Sequence, residues 1–271
     1  MNIRRAASLF FFVECLPVLL QATPLQLPVH DGGCGKSARP AVFDAPSSVE
    51  AGASLERLSN GYDDWSCLFV KYVRPLGPAG LAAVEIRQEG RFGKEDDGLN
   101  GSWAVPFSSG VLSLEGGISP DSDFLPRWKG LAGWNGRLPD GFGYSMEVQR
   151  REYKTVELNG IGLGAEKYLG RYRFAYMAAL SSLDWGRGEL VHKLQVQWFD
   201  DSTTRLGLTY AFGREPTNVS ADDFLAERLT HIQLDAFLPL GSVGIVAALW
   251  HAVQGDYYDR DGVLVGLRWL F

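Results

Sequence analysis

The last ten residues of the chain constrain its fold more than any other stretch. Val263, Val265, Leu267, Trp269 and Phe271 fall on one side of an extended strand, and Phe271 is the final residue. Such alternation ending on an aromatic residue is typical of a membrane-spanning strand with one lipid-facing side. We therefore expect the four residues from Val265 to Phe271 on this row to act as a barrel-assembly signal. A half-buried strand ending a soluble domain is the competing interpretation.

The same alternation recurs through most of the chain. In one segment Ala82, Val84 and Ile86 alternate with Glu85 and Arg87. A charged row opposite an apolar row fits a strand with lipid on one side and water on the other, whereas a soluble β-sandwich explains it poorly. Counting such segments predicts an all-β fold, a transmembrane antiparallel up-and-down β-barrel of about fourteen strands.

The connections between the predicted strands fall into two sets. One set is short and turn-like, and the other is longer and acidic, with loops expected at 94–98, 120–129, 216–227 and 255–261. Short turns on one rim and long loops on the other are how outer-membrane barrels are built, and an even strand number leaves both ends in the periplasm. The register slips around 160–164, so twelve strands is the alternative count.

Three regions are predicted along the chain. Arg4 and Arg5 precede a short apolar run, which predicts a cleaved signal peptide over 1–22; a buried N-terminal helix is the alternative. Residues 23–47 are rich in Pro, Gly and small polar residues, which indicates a periplasmic extension or a lumen plug. Residues 48–271 form the predicted barrel, and the expected location is the cell outer membrane.

Aromatic residues near the predicted strand ends support a membrane barrel, because such residues form belts at the two interfaces. They are Trp65, Tyr153, Tyr168, Trp185, Trp198, Tyr257 and Trp269.

Composition limits the partners. The net charge of −6 and the pI near 5.3 argue against nucleic acid, because the chain has no continuous basic face. The expected partners are outer-membrane lipid and lipopolysaccharide, the barrel-assembly machinery, and a glycan or polysaccharide. No cofactor and no metal are expected. Residues 160–165 match a dinucleotide-binding pattern formally, but they continue as a strand rather than opening a helix.

The inward rows of the predicted strands carry whatever function the barrel has. We expect them to line a lumen, and the alternative is that their charges pair and fill it. The predicted lumen-lining residues are Lys71, Glu85, Arg87, Glu89, Arg91, Glu147, Gln149, Arg151, Arg171, Arg173, Lys193, Gln195, Gln197, Arg205, Thr209, His231, Gln233, Asp235 and Arg268.

Two of the three cysteines remain once the predicted leader is removed. Cys67 shares the inward row of Lys71, and Cys34 lies in the predicted flexible segment. In an oxidising compartment a disulfide between Cys34 and Cys67 would pin that segment in the lumen. The alternative is two unpaired thiols.

The order of several short motifs resembles that of the YaiO-type outer-membrane proteins. These motifs are Gly61-Tyr62-Asp63-Asp64-Trp65, Arg91-Phe92-Gly93, Phe124-Leu125-Pro126-Arg127-Trp128, Glu166-Lys167-Tyr168 and Gly266-Leu267-Arg268 with Phe271. The resemblance covers roughly 48–271. It implies an outer-membrane β-barrel, often discussed beside surface polysaccharide export, and it supplies no catalytic residues.

We expect no enzyme activity. Barrel lipases and deacylases use a His with a Ser two residues later, so that both side chains lie on one face of a strand. None of the four histidines has a Ser at that position. Two functions stay open: a passage or export channel for hydrophilic solutes or surface polysaccharide, and a plugged barrel that acts in structure or surface interaction without transport.

Overall fold

The computed structural model describes residues 46–271 except 185, 201–203 and 222. In these residues, fourteen antiparallel strands form a closed barrel in which each strand pairs with its sequence neighbours and β1 pairs with β14. The predicted fold and strand count are confirmed. The strands are β1 (Ser48–Leu58), β2 (Trp65–Pro75), β3 (Leu81–Arg91), β4 (Lys94–Phe107), β5 (Gly110–Ile118), β6 (Trp128–Arg137), β7 (Phe142–Glu152), β8 (Glu157–Leu169), β9 (Tyr172–Leu183), β10 (Glu189–Phe199), β11 (Arg205–Asn218), β12 (Phe224–Leu240), β13 (Val243–Gln254) and β14 (Tyr258–Leu270).

The seam between β1 and β14 closes the sheet. Its register runs from Ser48 opposite Leu270 to Leu58 opposite Arg260, and the Phe271 N–H donates to the Ser47 carbonyl at 3.0 Å. Because every strand then has two neighbours, the part of the chain that the structure describes leaves no row of backbone groups unpaired toward lipid. The predicted leader over 1–22 and the segment 23–45 lie outside the described residues.

Several predicted loops are strands instead. β4 begins at Lys94, so the residues expected as an acidic loop extend the β3–β4 hairpin, and β14 begins at Tyr258. Strand β11 ends only at Asn218 and β12 begins already at Phe224, so a short connection stands where the longest loop was expected. Polar residues misled this prediction, because beyond the lipid band a paired strand faces water on both sides and loses its apolar row. β8 is continuous, so the expected register slip is wrong.

The outer face is apolar through the middle of the barrel. Its rows include Leu68, Val84, Ile86, Leu163 and Leu234, all exposed at the barrel surface. Among the described residues, no helix is long and apolar enough to cross a membrane.

Not all the aromatic residues expected at the membrane interfaces face outward. Trp198 and Trp269 lie on outward rows, but Trp65 and Tyr153 are buried at the extracellular end of the interior. Trp185 lies outside the described residues. Near the seam, aromatic rings such as that of Trp250 on β13 also lie in the barrel interior. A Cβ on Gly262 would lie 2.0 Å from the Trp250 ring, so that glycine permits the close approach of the indole.

Candidate functional site: the barrel lumen

The predicted lumen-lining residues lie on the inward rows, with one exception. All of them on strands are buried except Arg91, which is partly exposed at the extracellular end of β3. Arg171 is not on a strand: it lies in the tight turn between β8 and β9 and is exposed, so its assignment to the lumen is wrong. It has the inward parity, but the turn ends the alternation before the chain re-enters the barrel at Tyr172.

Charged side chains on β3 form a ladder along a single strand. The Arg87 guanidinium donates to Glu85 at 2.6 Å and to Glu89 at 2.9 Å, and Arg91 donates to the other oxygen of Glu89 at 2.6 Å. Residues two apart face the same side of a strand, so alternating acids and bases meet without help from a neighbouring strand. The inner face of β3 is neutral by itself.

Other interior charges pair between strands. Arg268 on β14 donates to Glu50, directly opposite on β1, through Nε at 2.7 Å, and Arg260 donates to Glu56 at 3.0 Å. Two further pairs join neighbouring strands: Arg205 with Asp235 at 2.8 Å and Arg173 with Glu166 at 2.7 Å. This part of the interior is filled by paired charges, as the alternative interpretation expected.

The glycines of β8 face inward, but the room they leave is occupied. Glu147 lies opposite Gly162, and Gln149 lies opposite Gly160. A Cβ on Gly162 would meet the Glu147 side chain at 2.6 Å, and one on Gly160 would meet Gln149 at 2.8 Å. The small residues therefore make space for side chains of β7 rather than for a passage at this point of the wall.

The inner wall formed by β4, β5 and β6 differs from the rest. Several of its inward side chains remain partly exposed, in contrast to the buried charges of β9–β14 and β1–β3. They are Asn100, Ser102, Ser113, Glu115, Lys129, Leu131 and Asn135. Most are small or neutral polar residues, with one acid and one base. These partly exposed inward side chains leave solvent access along β4–β6, which we call the polar wall.

The loop 119–127 joins β5 to β6 at the extracellular end of the polar wall. Asp96, on the inward row of β4, accepts hydrogen bonds from the backbone N–H groups of Asp123, Phe124 and Leu125 at 2.8–3.0 Å. Charge-assisted bonds of this kind are about twice as strong as neutral ones. Asp96 is 4% exposed, so water competes little for its oxygens. The loop is therefore tied to the inner side of β4.

Aromatic rings and arginines hold the same loop inward. The guanidinium of Arg91 lies 5.5 Å from the Phe124 ring centre and 4.7 Å from that of Trp65, and Arg260 lies 4.9 Å from Trp65. Phe124 is 2% exposed. The stack Phe124–Arg91–Trp65–Arg260 places the loop over the mouth of the barrel rather than away from it.

Asp123 links this loop to the start of β4 and to the connection between β7 and β8. Its carboxylate accepts from the ammonium groups of Lys94 and Lys154, each at 3.1 Å. These two hydrogen bonds hold the pKa of Asp123 below its usual value. A depressed pKa means that the links are present above the ordinary carboxyl pKa and are lost as the pH falls through the lowered value.

A second cover comes from the tip of the β11–β12 hairpin. The ring of Phe224 lies 4.5 Å from that of Tyr153, which follows β7, while the Tyr258 hydroxyl of β14 donates to the Asn218 carbonyl at 3.0 Å. The tip thus touches strands on both sides of the barrel. The extracellular mouth is covered by two inward-folded segments.

Sequence reasoning missed the residues that build these covers. Asp96 and Arg260 fell within predicted loops, so their inward parity was not followed, and Glu50 and Glu56 were not assigned to the lumen. Pairing β4 against β3 across the two-residue turn at 92–93 would have placed Asp96 opposite Glu89 and therefore inward. The contacts of Asp96 with loop 119–127 join residues far apart in the sequence, so no local sequence pattern predicts them.

Cys67 is buried on the inner face of β2, 2% exposed, in an apolar cluster that includes Phe69 and Trp250. Cys34 lies outside the described residues, so the predicted disulfide stays a prediction. It would require the side chains packed on Cys67 to move. If it forms, it closes a loop of about 30 residues and stabilises the protein by roughly 2–4 kcal/mol.

Thiol labelling of the exported protein tests the disulfide. Under denaturing, non-reducing conditions a bonded pair leaves neither Cys34 nor Cys67 to react, and reductant exposes both. Equal labelling with and without reductant would remove the pinned-plug idea.

Comparison with known protein families agrees with the barrel fold. A family model described as "YaiO membrane beta barrel domain" matches residues 46–218. The chain belongs to this YaiO family. No curated protein matches the sequence. The YaiO membership and the closed barrel together make it an outer-membrane β-barrel, as the resemblance implied.

Solved structures show similar folds at low identity. A structure titled "Bacterial polysaccharide outer membrane secretin" has a TM-score of 0.55 and 7% identity, covering 84% of this chain and 99% of its own. An anion-selective porin from Comamonas acidovorans has a TM-score of 0.46 and 11% identity, covering 83% of this chain and 98% of its own. At such identities the likeness to the YaiO barrel concerns the fold alone.

Proposed function

We propose that the barrel is a gated passage for small hydrophilic solutes across the outer membrane. One observation carries the proposal: the inward side chains of the polar wall are partly exposed, whereas the inward charges of β9–β14 and of most of β1–β3 are buried. Hydroxyl and amide groups such as Ser102, Ser113 and Asn135 can exchange hydrogen bonds with a hydrated solute. The proposed role is not catalytic, and it presumes export by the predicted cleaved leader.

Loop 119–127 is the proposed gate. It connects β5 and β6 of the polar wall and is held inward by Asp96 and by the arginine–aromatic stack. Releasing it leaves β4–β6 paired along their ladders, because Asp96 bonds the loop and not the neighbouring strands. Opening therefore requires a movement of the loop and leaves the sheet intact. Loops that cover a site undergo such movements readily.

Replacing Asp96 by alanine is expected to raise the single-channel conductance in planar bilayers. The change removes the acceptor of three loop N–H groups, so the loop leaves the mouth more often. Asp97→Ala is the matched control, because Asp97 is the next residue, faces outward and is exposed. It should conduct like the wild type.

Each result of this experiment is informative. A rise in conductance with Asp96→Ala alone supports a gate, and equal conductance of all three proteins would contradict it. If all forms stay closed, the function is the second candidate, a plugged structural or surface-interaction barrel. That candidate is favoured by the paired interior charges, such as Arg205 with Asp235. Deleting residues 23–47 in the same assay tests whether the N-terminal segment closes the periplasmic side.

Solute size separates small solutes from polysaccharide as cargo. Paired charges and the rings of Trp250 and Phe237 occupy much of the interior, which favours small molecules or a single extended chain over a wide polymer. Adding oligosaccharides of increasing length to the open Asp96→Ala channel measures this. Blockade by long chains supports a polysaccharide cargo, and blockade by short sugars alone supports small solutes.

A further inference from the structure

Two arginines stand side by side on the outer surface near the extracellular rim. Arg214 on β11 lies directly opposite Arg228 on β12, and both are exposed. Directly opposite residues of an antiparallel pair have Cβ atoms about 4.5–5.5 Å apart, and like charges placed so are destabilising. A pair of this kind needs compensation from a neighbouring anion.

The protein compensates one of the two guanidiniums. Arg214 donates through Nε to Glu189 of β10 at 3.2 Å, and through Nη2 to the Ala226 carbonyl. These contacts hold its side chain in place. The side chain of Arg228 makes no hydrogen bond or ion pair with any residue that the structure describes. Two cations thus face one carboxylate, and the donors of Arg228 are available.

The position of the pair suggests where the missing anion resides. The next outward residues toward the periplasm are Phe212 on β11 and Thr230 on β12, opposite each other, followed by Tyr210 opposite Ile232. Phe212 and Tyr210 are exposed and stack with rings 5.5 Å apart. The arginines therefore lie at the boundary between the apolar band and the polar rim, where lipid headgroups meet a membrane protein.

We propose that Arg214 and Arg228 bind the phosphate of an outer-leaflet lipid headgroup. The guanidinium fork matches phosphate oxygens in a bidentate way, and two adjacent forks share one doubly charged group. Phosphate between them removes the like-charge repulsion that the protein leaves uncorrected. Exposed aromatic rings beneath the site offer a surface for the acyl chains of the same lipid.

Binding of defined lipids to the purified full chain in detergent tests the site. Native mass spectrometry compares phosphatidic acid with diacylglycerol of the same chains, which lacks the phosphate. We expect the wild type to prefer phosphatidic acid and Arg228→Gln to lose about tenfold in affinity for it, since bonds to charged groups are strong. Arg57→Gln is the control: Arg57 is also exposed and outward at the rim, but it faces an acid, Asp261.

The outcomes separate the ligand's sources. If inorganic phosphate displaces phosphatidic acid, the site recognises phosphate from any source; if it does not, the site requires the lipid. Either result supports a phosphate site when Arg228→Gln weakens it and Arg57→Gln does not. Equal affinity of wild type and Arg228→Gln, or no preference over diacylglycerol, would overturn the proposal. Retained heat-modifiability of Arg228→Gln shows that the barrel is intact.

Discussion

Replacing Arg268 by methionine is expected to lower the free energy of unfolding by about 3 kcal/mol, because it leaves a buried carboxylate without its closest partner. Glu50 is 2% exposed and Arg268 5% exposed, so water screens the pair little. Lys71 lies opposite Glu50 on its other side but also opposite Glu85, so it compensates only in part. Urea unfolding of the barrel in phospholipid, followed by tryptophan fluorescence, measures the loss.

A double variant separates the ion pair from packing. Methionine keeps an apolar stem near the Phe237 ring, over which Arg268 now lies at 5.1 Å. Adding Glu50→Gln removes the stranded charge, so the double variant should recover much of the stability that Arg268→Met loses. If the double variant is less stable by the sum of both single losses, the pair is not coupled and the prediction is wrong.

Replacing Phe271 by aspartate should strongly reduce the amount of heat-modifiable barrel in the outer membrane. Its side chain is 68% exposed, ends the outward row of β14 and stacks on Tyr72 of β2 with ring centres 6.4 Å apart. A charge there lies at the periplasmic edge of the apolar band, on the strand that must close the sheet. Quantitative immunoblotting of unheated and heated membranes measures the assembled fraction.

Two controls accompany this variant. Phe271→Tyr keeps an aromatic ring and should assemble like the wild type. Phe107→Asp places the same charge at another exposed aromatic position near the short-turn rim, at the end of β4. Assembly of Phe271→Asp at the wild-type level would contradict the assembly role, and an equal loss with Phe107→Asp would show a general cost of charge at this rim.

Periodicity in the sequence predicted the closed barrel, its strand number and the inward position of residues such as Arg87 and Asp235, because lipid on one side imposes an apolar row that local composition records. The extracellular half escaped prediction for the same reason. Beyond the lipid, the strand segments around Asp96 and Glu215 lack an outward apolar row, so their sequences resemble those of loops. Long-range contacts decide their structure there.

The extent to which the lumen is filled also escaped prediction. Gly162 indicates space on an inner face, but only the register with β7 shows that Glu147 takes it. Likewise, the separation of the interior into a filled part and the polar wall depends on which strands face one another across the barrel. Sequence periodicity describes one strand at a time and carries no such information.

Interior charges differ in when they can find partners. Those on β3 neutralise one another along their own strand, so this strand can enter the membrane in any order without an unpaired charge. β1 instead carries the acids Glu50 and Glu56 on its inner face, and β14 carries Arg260 and Arg268. These charges meet only when the first and last strands join. Closing the barrel is therefore the step that pairs the charges of β1 with those of β14, and an open or slipped sheet retains an electrostatic penalty until these two strands join.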